Sequence, residues 1–514
     1  MKKILLCVLV IVLFAALAVG AYIAYEAYAI SKAPNPADTV AAIMDEALKS
    51  NHGTEAKTTE GKAVKDAIIN SLSYELGEVT VDKRDAVQTV TISSLDTASL
   101  FTTLQEDAQP ILKEEVENAK LSSDVYNEDR TYKQEVLDLA AQIAFNEAFG
   151  ETSRKSKEIQ LKLYYEDKQW SCLNTEEIYA AFWPEGTDAD AIAADMLKEA
   201  VADPQYVKKI YTIEETAKAG PEPDRSKFGS TTDPAVIEEL IASPLAQELI
   251  KGQQLVWNKD IAFIPGTEMH YYLDETIFTI VWQEVEAMAV GTFAETFIAD
   301  GSQLRRKIAA DTFESFEHQV ATELSRQTNA VLAVGGDLYH HARNCGIVVY
   351  EREIYRFDPY TCDTCYITAD GDMLFSYRGQ FSDISEAESF VKENDVLFSI
   401  CFGPVLIDNG VDVTPSEYPW GEINDFYARS ALGIMGDKHY LTMNINCQMP
   451  DHYYLASLRQ AADAMVARGC IKAYALDGGQ TASTIINNQL INPVQFGWER
   501  ETSDILYFAT AVPN

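Results

Sequence analysis

The sequence predicts an α+β protein in three parts: one N-terminal transmembrane helix, a small α+β module, and a larger C-terminal domain built on a mixed sheet. Three observations carry this. An uncharged apolar run opens the chain. Strand-like alternation and helical periodicity interleave through the first third. In about the last 250 residues, strand–helix–strand units end in Gly and Asp.

The apolar run extends from Ile4 to Tyr25, 22 residues between Lys3 and Glu26. A helix needs about 20 such residues to cross a bilayer core. Lys2 and Lys3 favour the cytoplasmic side, so residues 4–25 are expected to hold the lipid bilayer with the remaining chain outside the cell membrane. A cleaved signal peptide is the competing reading. Its apolar core is shorter, about 7–15 residues, although Ala16-Leu17-Ala18 and Ala27-Tyr28-Ala29 offer small-x-small sites. Both readings export the protein. Residues 1–30 are therefore read as cytoplasmic tip and single-pass anchor.

Residues 31–37 form a short stalk, and Asp38 is placed to cap a helix with Val40, Ile43, Met44, Ala47 and Leu48 on one face. A strand is expected around Val87–Ile92. A helical stretch follows over Leu100–Leu121, broken near Pro110. Another helix covers Lys133–Phe149. Ile159, Leu161, Leu163 and Tyr165 then alternate toward Glu166-Asp167-Lys168 and Trp170. That strand, acidic turn and Trp strand resemble the last hairpin of cystatin- or NTF2-like modules on exported bacterial proteins. Residues 31–185 are read as such an accessory module, without a catalytic constellation.

From 186 to 265 the chain is acidic and punctuated by Pro221-Glu222-Pro223-Asp224 and Ser230–Pro234. It is read as a helical connector, with the next domain over 266–514. The net charge of −38 argues against nucleic acid as a partner and against docking on anionic lipid through a basic face.

Cys345, Cys362, Cys365, Cys401, Cys447 and Cys470 crowd into the last third. In an exported domain they are candidates for disulfides. Cys362-x-x-Cys365 lies in a loop with no thioredoxin-like helix behind it. No second pair stands at zinc spacing, so neither a metal nor another cofactor is expected. His340-His341 would point to opposite faces of a strand. His318 falls on the face of an expected helix, Phe313–Gln327, and Tyr453-Tyr454 opens the final helix.

In the C-terminal domain, Ile277–Trp282 and Ala289–Ile298 read as strands, as does Ala330–Val334, which ends in Gly335-Gly336-Asp337. Gly346–Tyr350 and Ile354–Phe357 read as a hairpin. Near the end, Tyr440–Asn446 is a strand. Leu455, Leu458, Ala462 and Met465 mark a helix stopped by Gly469, and Ile471–Leu476 leads into Asp477-Gly478-Gly479. Two strands joined by one helix should be parallel and adjacent, which brings Asn446 and Asp477 to one sheet edge. Sites form at such edges, and Asp337 could share the rim. Thr481 and Ser483 follow the glycines. Arg429, Glu499 and Arg500 complete a set of carboxylates and guanidiniums suited to an anionic substrate.

Five segments, in order across 266–514, resemble the phosphodiester glycosidase family. They are Ala333–Tyr339, Phe402–Leu406 with Asn409-Gly410, Ala428–Ile434, Ala475–Gly479, and Asn492-Pro493 through Glu499-Arg500 with Ser503-Asp504-Ile505 behind. The resemblance implies hydrolysis of the bond between a sugar's anomeric carbon and a phosphodiester. It also implies a sugar-phosphate or polysaccharide substrate of the envelope or an exopolysaccharide. Asp477 is then expected as the carboxylate acting at the sugar, with Glu499 and Asp337 competing for a base or orienting role. Arg429 and Arg500 are expected on the phosphate, and Gly336, Gly478, Gly479, Thr481, Ser483 and Asn446 around the substrate.

The chain departs from the family pattern at three places. Gly335 replaces an Asn, Asn446-Cys447-Gln448 replaces Asp-Gly-Arg, and Gln480-Thr481-Ala482 replaces Gly-Ser-Ser. These changes support a second expectation: a non-catalytic glycan-binding surface protein on the same fold.

Overall fold

The computed structural model describes residues 2–50, 55–150, 153–183, 187–310, 312, 317–337, 346–419, 423–446 and 455–514, without the side chains of 2–6 and 495. His340-His341, Cys345, Cys447-Gln448 and Tyr453-Tyr454 lie outside these residues. The chain divides into two compact units, Met1–Lys209 and Ile210–Asn514.

In the first unit the apolar run lies within one helix, Lys2–Ser31, long and apolar enough to cross a membrane. The helix beyond the run is tied to the module. Glu26 pairs with Arg84, whose Nε donates to Oε2 at 2.7 Å. Ile30 and Ala33 pack against the module core, and Trp170 donates Nε1–H to the Pro34 carbonyl at 2.8 Å. The expected stalk is thus packed structure. Asn35, not Asp38, caps the next helix, Pro36–Lys49, because Pro36 already occupies the first turn. That helix buries Val40, Met44 and Ala47 against an antiparallel four-stranded sheet, Ser73–Asp82, Asp85–Leu95, Arg154–Glu166 and Gln169–Cys172. The last two strands form the expected Trp hairpin, turning at Asp167 and Lys168, which both have positive φ. The helix Leu104–Asn118 runs through Pro110 unbroken. Pro110 lies on its exposed side, where water can take up the carbonyl that the missing N–H leaves.

In the second unit a nine-stranded sheet runs from Val411–Asp412 and Val405–Asp408 through Lys472–Leu476, Arg429–Gly436, His439–Asn446, Ala289–Ile298, Ile277–Glu286 and Met269–Leu273 to Phe228–Thr231. The last strand belongs to the region read as a connector. Pro- and Asp-rich punctuation does not distinguish a linker from coil packed on a sheet edge. Here Gly220 bonds to Thr328, and Asn329 bonds back to Gly220. A five-stranded sheet, Gln489–Leu490, Thr484–Ile486, Ala330–Gly335, Asp504–Ala509 and Leu304–Ile308, packs on one face. Between the two sheets lie Val281, Leu432, Tyr440, Tyr474 and Leu476 with Leu332, Val334, Leu506 and Phe508. The helix Leu458–Ala467 covers the other face through Ala461 and Met465. A second five-stranded sheet contains the hairpin Gly346–Tyr350 and Glu353–Asp358.

Every strand pair among the described residues of this unit is antiparallel, in place of the expected mixed sheet. The expected parallel neighbours are parallel to each other but not adjacent: Arg429–Gly436 lies between them. The cause is local. Asp437-Lys438 makes a tight turn, with Gly436 opposite His439, and a hairpin closes more readily than a crossover. The helix then steps over this inserted strand. Ser430 is opposite both Asn444 and Leu476, so Arg429, Asn446 and Asp477 share one edge of three adjacent strands.

Candidate active site

Two strand ends meet at this edge. Ala330–Gly335 of the five-stranded sheet delivers Gly336-Asp337, and Lys472–Leu476 of the nine-stranded sheet delivers Asp477. The Asp477 amide donates to the Gly336 carbonyl at 3.0 Å, which joins the sheets at the rim.

Behind the rim is a sealed cluster. Arg306 donates Nε–H to Asp504 Oδ2 at 2.6 Å and contacts Asp337 Oδ1 through Nη2 at 2.9 Å; it also bonds the Ser399 carbonyl. None of the three side chains has exposed surface. Asp504 Oδ1 accepts from the Asp337 amide at 2.8 Å, and Asp337 Oδ2 accepts from the Cys401 amide at 2.8 Å. A Cβ at Gly336 would stand 2.3 Å from Asp504 Oδ1, so only glycine allows this carboxylate so close to the turn. Burial, reinforced by the Asp337 carboxylate and opposed by Arg306, raises the Asp504 pKa.

Asp477 faces a different setting. Arg500 Nη2 lies 3.3 Å from its Oδ2. Burial pushes its carboxyl up to about 6, against the lowering effects of Arg500, the Thr481 hydroxyl and the Gly478 amide. It is a carboxyl on a rigid strand end, poised near neutrality beside a guanidinium.

The loop after Asp477 is tightly held. Gly479 has φ of +66° and opens a single 3-10 turn, Gly479–Thr481. The Thr481 hydroxyl donates to the Gly478 carbonyl at 2.7 Å, and the Ser483 hydroxyl to the Thr481 carbonyl at 3.0 Å. Both side chains are buried. The Ala482 carbonyl accepts two amides, Asn446 Nδ2 at 3.0 Å and Asn492 Nδ2 at 2.8 Å. Asn492 Oδ1 in turn accepts from the Thr484 amide at 2.5 Å. Asn446 is thus on the rim with its amide on the loop, and its Oδ1 is buried without a hydrogen-bond partner among the described residues.

The remaining candidates are placed as follows. Arg429 begins its strand on the same edge, is buried, and donates Nε–H to Ala456 O at 3.0 Å and Nη2–H to Asp425 O at 2.7 Å. Its guanidinium also lies 5.2 Å from the Tyr427 ring centre. Glu499 accepts from Thr322 N at 3.2 Å and Thr322 Oγ1 at 2.7 Å, at the start of the helix Ala321–Thr328. Its charge therefore meets the positive end of that helix, while Arg500 turns to Asp477. His318 precedes this helix, which is shorter than Phe313–Gln327.

The structure thus joins Gly336, Asp477, Gly478, Gly479, Thr481, Ser483, Asn446 and Arg500 in one hydrogen-bonded rim, with Asp337 sealed behind it. Arg306 and Asp504 escaped the sequence reading as candidates. A signal existed: Leu304, Arg306 and Ile308 alternate inward on one strand, and an Arg at a core-facing position demands a buried carboxylate. Cys362, Cys365 and Cys470 are buried thiols. No group of three or more His, Cys, Asp or Glu is placed to hold a metal among the described residues.

A family model described as phosphodiester glycosidase matches residues 328–509. The SPbeta prophage-derived uncharacterized protein YomE of Bacillus subtilis (strain 168) is 22% identical over 207 residues, covering 38% of this chain. The match spans 30% of YomE's own length. Among solved structures, the zebrafish N-acetylglucosamine-1-phosphodiester alpha-N-acetylglucosaminidase catalytic domain, auto-inhibited by its pro-peptide, aligns with a TM-score of 0.37 at 14% identity. That alignment covers 49% of this chain and 86% of the zebrafish chain. A hypothetical protein from Synechocystis aligns with a TM-score of 0.34 at 12% identity, covering 45% and 62%. The matched region holds Asp337, Asp477 and Arg500, and residues 328–509 match the phosphodiester glycosidase family as a divergent member.

Proposed function

We propose that this chain is a membrane-anchored, extracytoplasmic hydrolase that cleaves a sugar-1-phosphodiester bond in envelope or exopolysaccharide glycans. The observation that carries the proposal is Asp477: a carboxyl on a strand end, raised to about 6, with Arg500 at 3.3 Å. In the proposed reaction the bond between the anomeric carbon and the phosphodiester oxygen breaks. Water supplies the new C–O bond, and the phosphate leaves as a monoester. Such a leaving group needs little protonation, so the site must chiefly steady positive charge at the sugar and hold the phosphate.

Asp477 takes the first task as a carboxylate, and Arg500, half-exposed above it, takes the second with its remaining donors. Asp337 and Glu499 take orienting roles, the former through Arg306 and the latter through the helix at Thr322. Arg429 holds the Asp425 and Ala456 backbone beside the rim. The anchor reading is supported by Glu26, Ile30 and Ala33, which the module uses as its own packing surface.

A specific observation favours the glycan-binding alternative. A Cβ at Gly335 would stand 2.1 Å from the Thr481 carbonyl, so this backbone leaves no room for the family's Asn. One assay separates the readings: the full-length protein in detergent against a chromogenic sugar-1-phosphodiester. Release of the chromophore, abolished in Asp477→Asn, is expected of the hydrolase. Saturable binding of the diester without release would establish the binder instead.

A further inference from the structure

The second unit holds a cavity of about 380 Å³ that the proposed chemistry does not use. It lies along the edge strand Leu304–Ile308, beside the chain run 213–218 and the turn at Glu351-Arg352. Its volume falls in the range of about 300–1,000 Å³ common for small-molecule sites. Its wall gathers Lys218, Arg305, Arg306, Lys307 and Arg352, in a chain whose net charge is −38. Strand alternation explains part of this: Leu304, Arg306 and Ile308 take the buried face, and Arg305 and Lys307 take the other.

Pairing shows which charges remain for a ligand. Arg306 is balanced by Asp337 and Asp504. Arg352 is balanced by Glu215 and Asp395, with Nη2 2.7 Å from Glu215 Oε1 and Nε 2.7 Å from Asp395 Oδ1. Arg305 is held differently. Its Nη1 donates to Glu214 O at 3.0 Å, and its Nη2 to Glu215 O at 3.0 Å and Ala217 O at 2.6 Å. Neutral carbonyls fix the guanidinium and leave its charge uncompensated, with Nε–H and a second Nη1–H still available. Lys218 and Lys307 make no ion pair among the described residues; of the two wall carboxylates, Glu215 is engaged by Arg352 and Glu351 stands near them. Arg306 and Arg352 each face two carboxylates, which offset part of this charge; what sets Arg305, Lys218 and Lys307 apart is that none of them is held in an ion pair among the described residues. Tyr350, partly buried, also lines the cavity, with the core side chain Phe398 behind it.

We infer that this cavity binds a small organic phosphate, its phosphate on Arg305, Lys307 and Lys218 and its organic part against Tyr350. The site is separate from the rim and does not depend on the hydrolase reading. The test is calorimetric titration of the full-length protein in detergent with glucose 6-phosphate, with glucose and inorganic phosphate as controls. Saturable binding of glucose 6-phosphate is expected, unchanged in Asp477→Asn and weakened at least about tenfold in Lys218→Glu/Lys307→Glu by the loss of two charge-assisted contacts. Lys218 is exposed, so Lys218→Glu alone gives a folded check with a smaller loss in the same direction. Absence of saturable binding, or equal affinity in the double lysine variant, would overturn the site. Binding lost in Asp477→Asn but kept in the lysine variant would move the phosphate to the rim and equally overturn it. Inorganic phosphate binding as tightly as glucose 6-phosphate would remove the Tyr350 contact from the proposal.

Discussion

Arg306, Asp337 and Asp504 expose no side-chain surface, whereas Arg500 is 44% exposed above Asp477, which is 9% exposed. Both clusters combine carboxylates with a guanidinium, and backbone bonds through Gly336 join them. The difference is in what each can still do. The sealed cluster has its donors and acceptors committed to one another and to the Ser399 carbonyl and the Cys401 amide. It can hold a shape but cannot meet a substrate. The rim pair is buried from one side only, which raises the carboxyl while leaving a guanidinium open to a ligand. The same residue types therefore divide into scaffold and chemistry by access alone.

The largest effect should come from breaking the scaffold. Arg306→Met leaves two carboxylates buried without their cation and is expected to cost about 3–5 kcal/mol, read as a lowered melting temperature. A cost no larger than that of Arg500→Gln would erase the distinction between the clusters. Asp477→Asn should do the reverse. Activity on the chromogenic diester should fall by about 10²–10⁴-fold, while stability rises. The sign follows from the raised pKa: the unfolded chain ionises Asp477 near 4 and the folded chain near 6, so its ionisation removes stability as pH climbs through that window. The variant should gain melting temperature over the wild type above pH 6 and show no gain near pH 4.

Asn492→Ala should fall between these cases. It removes the bonds to the Thr484 amide and the Ala482 carbonyl, at about 1–3 kcal/mol, and loosens the loop beside Asp477. A drop in kcat along with the melting temperature is expected. Glu499→Gln should be milder, about 0.3–1 kcal/mol, because the amide keeps the hydrogen bonds at Thr322 and loses only the charge facing the helix. A large loss of activity there would move Glu499 from scaffold to chemistry. The smallest change in stability is expected in Arg500→Gln, which should instead raise KM for the diester and move the acidic limb of the pH–rate profile, near 6 in the wild type, to higher pH as the lowering influence on Asp477 is lost.

Asp477 on the rim and Asp337 behind it were legible in the sequence because both end strands. Asp337 follows Ala330–Gly335 and Asp477 follows Lys472–Leu476, and a strand–helix–strand unit fixes which ends coincide. The intervening strand Arg429–Gly436 was not legible as a neighbour, since hairpin closure at Asp437-Lys438 competes with crossover pairing and periodicity does not rank the two. The scaffold was harder still. Arg306 and Asp504 are 198 positions apart, and their contact depends on register between two edge-side strands of one sheet, which no local pattern encodes. Glu499-Arg500 reads as a pair in sequence, yet neighbours on extended chain diverge, and the two side chains go to different partners.

The ties at Glu26, Ile30, Ala33 and Pro34 bear on mechanics rather than chemistry. A helix joined to its module by a flexible tether transmits position but not orientation. Here an ion pair, an indole hydrogen bond and apolar packing act as a splint across the junction. In a bilayer, any tilt of the helix would be passed on to the four-stranded sheet as rotation, so lipid thickness would steer the pose of the first unit as well as its height.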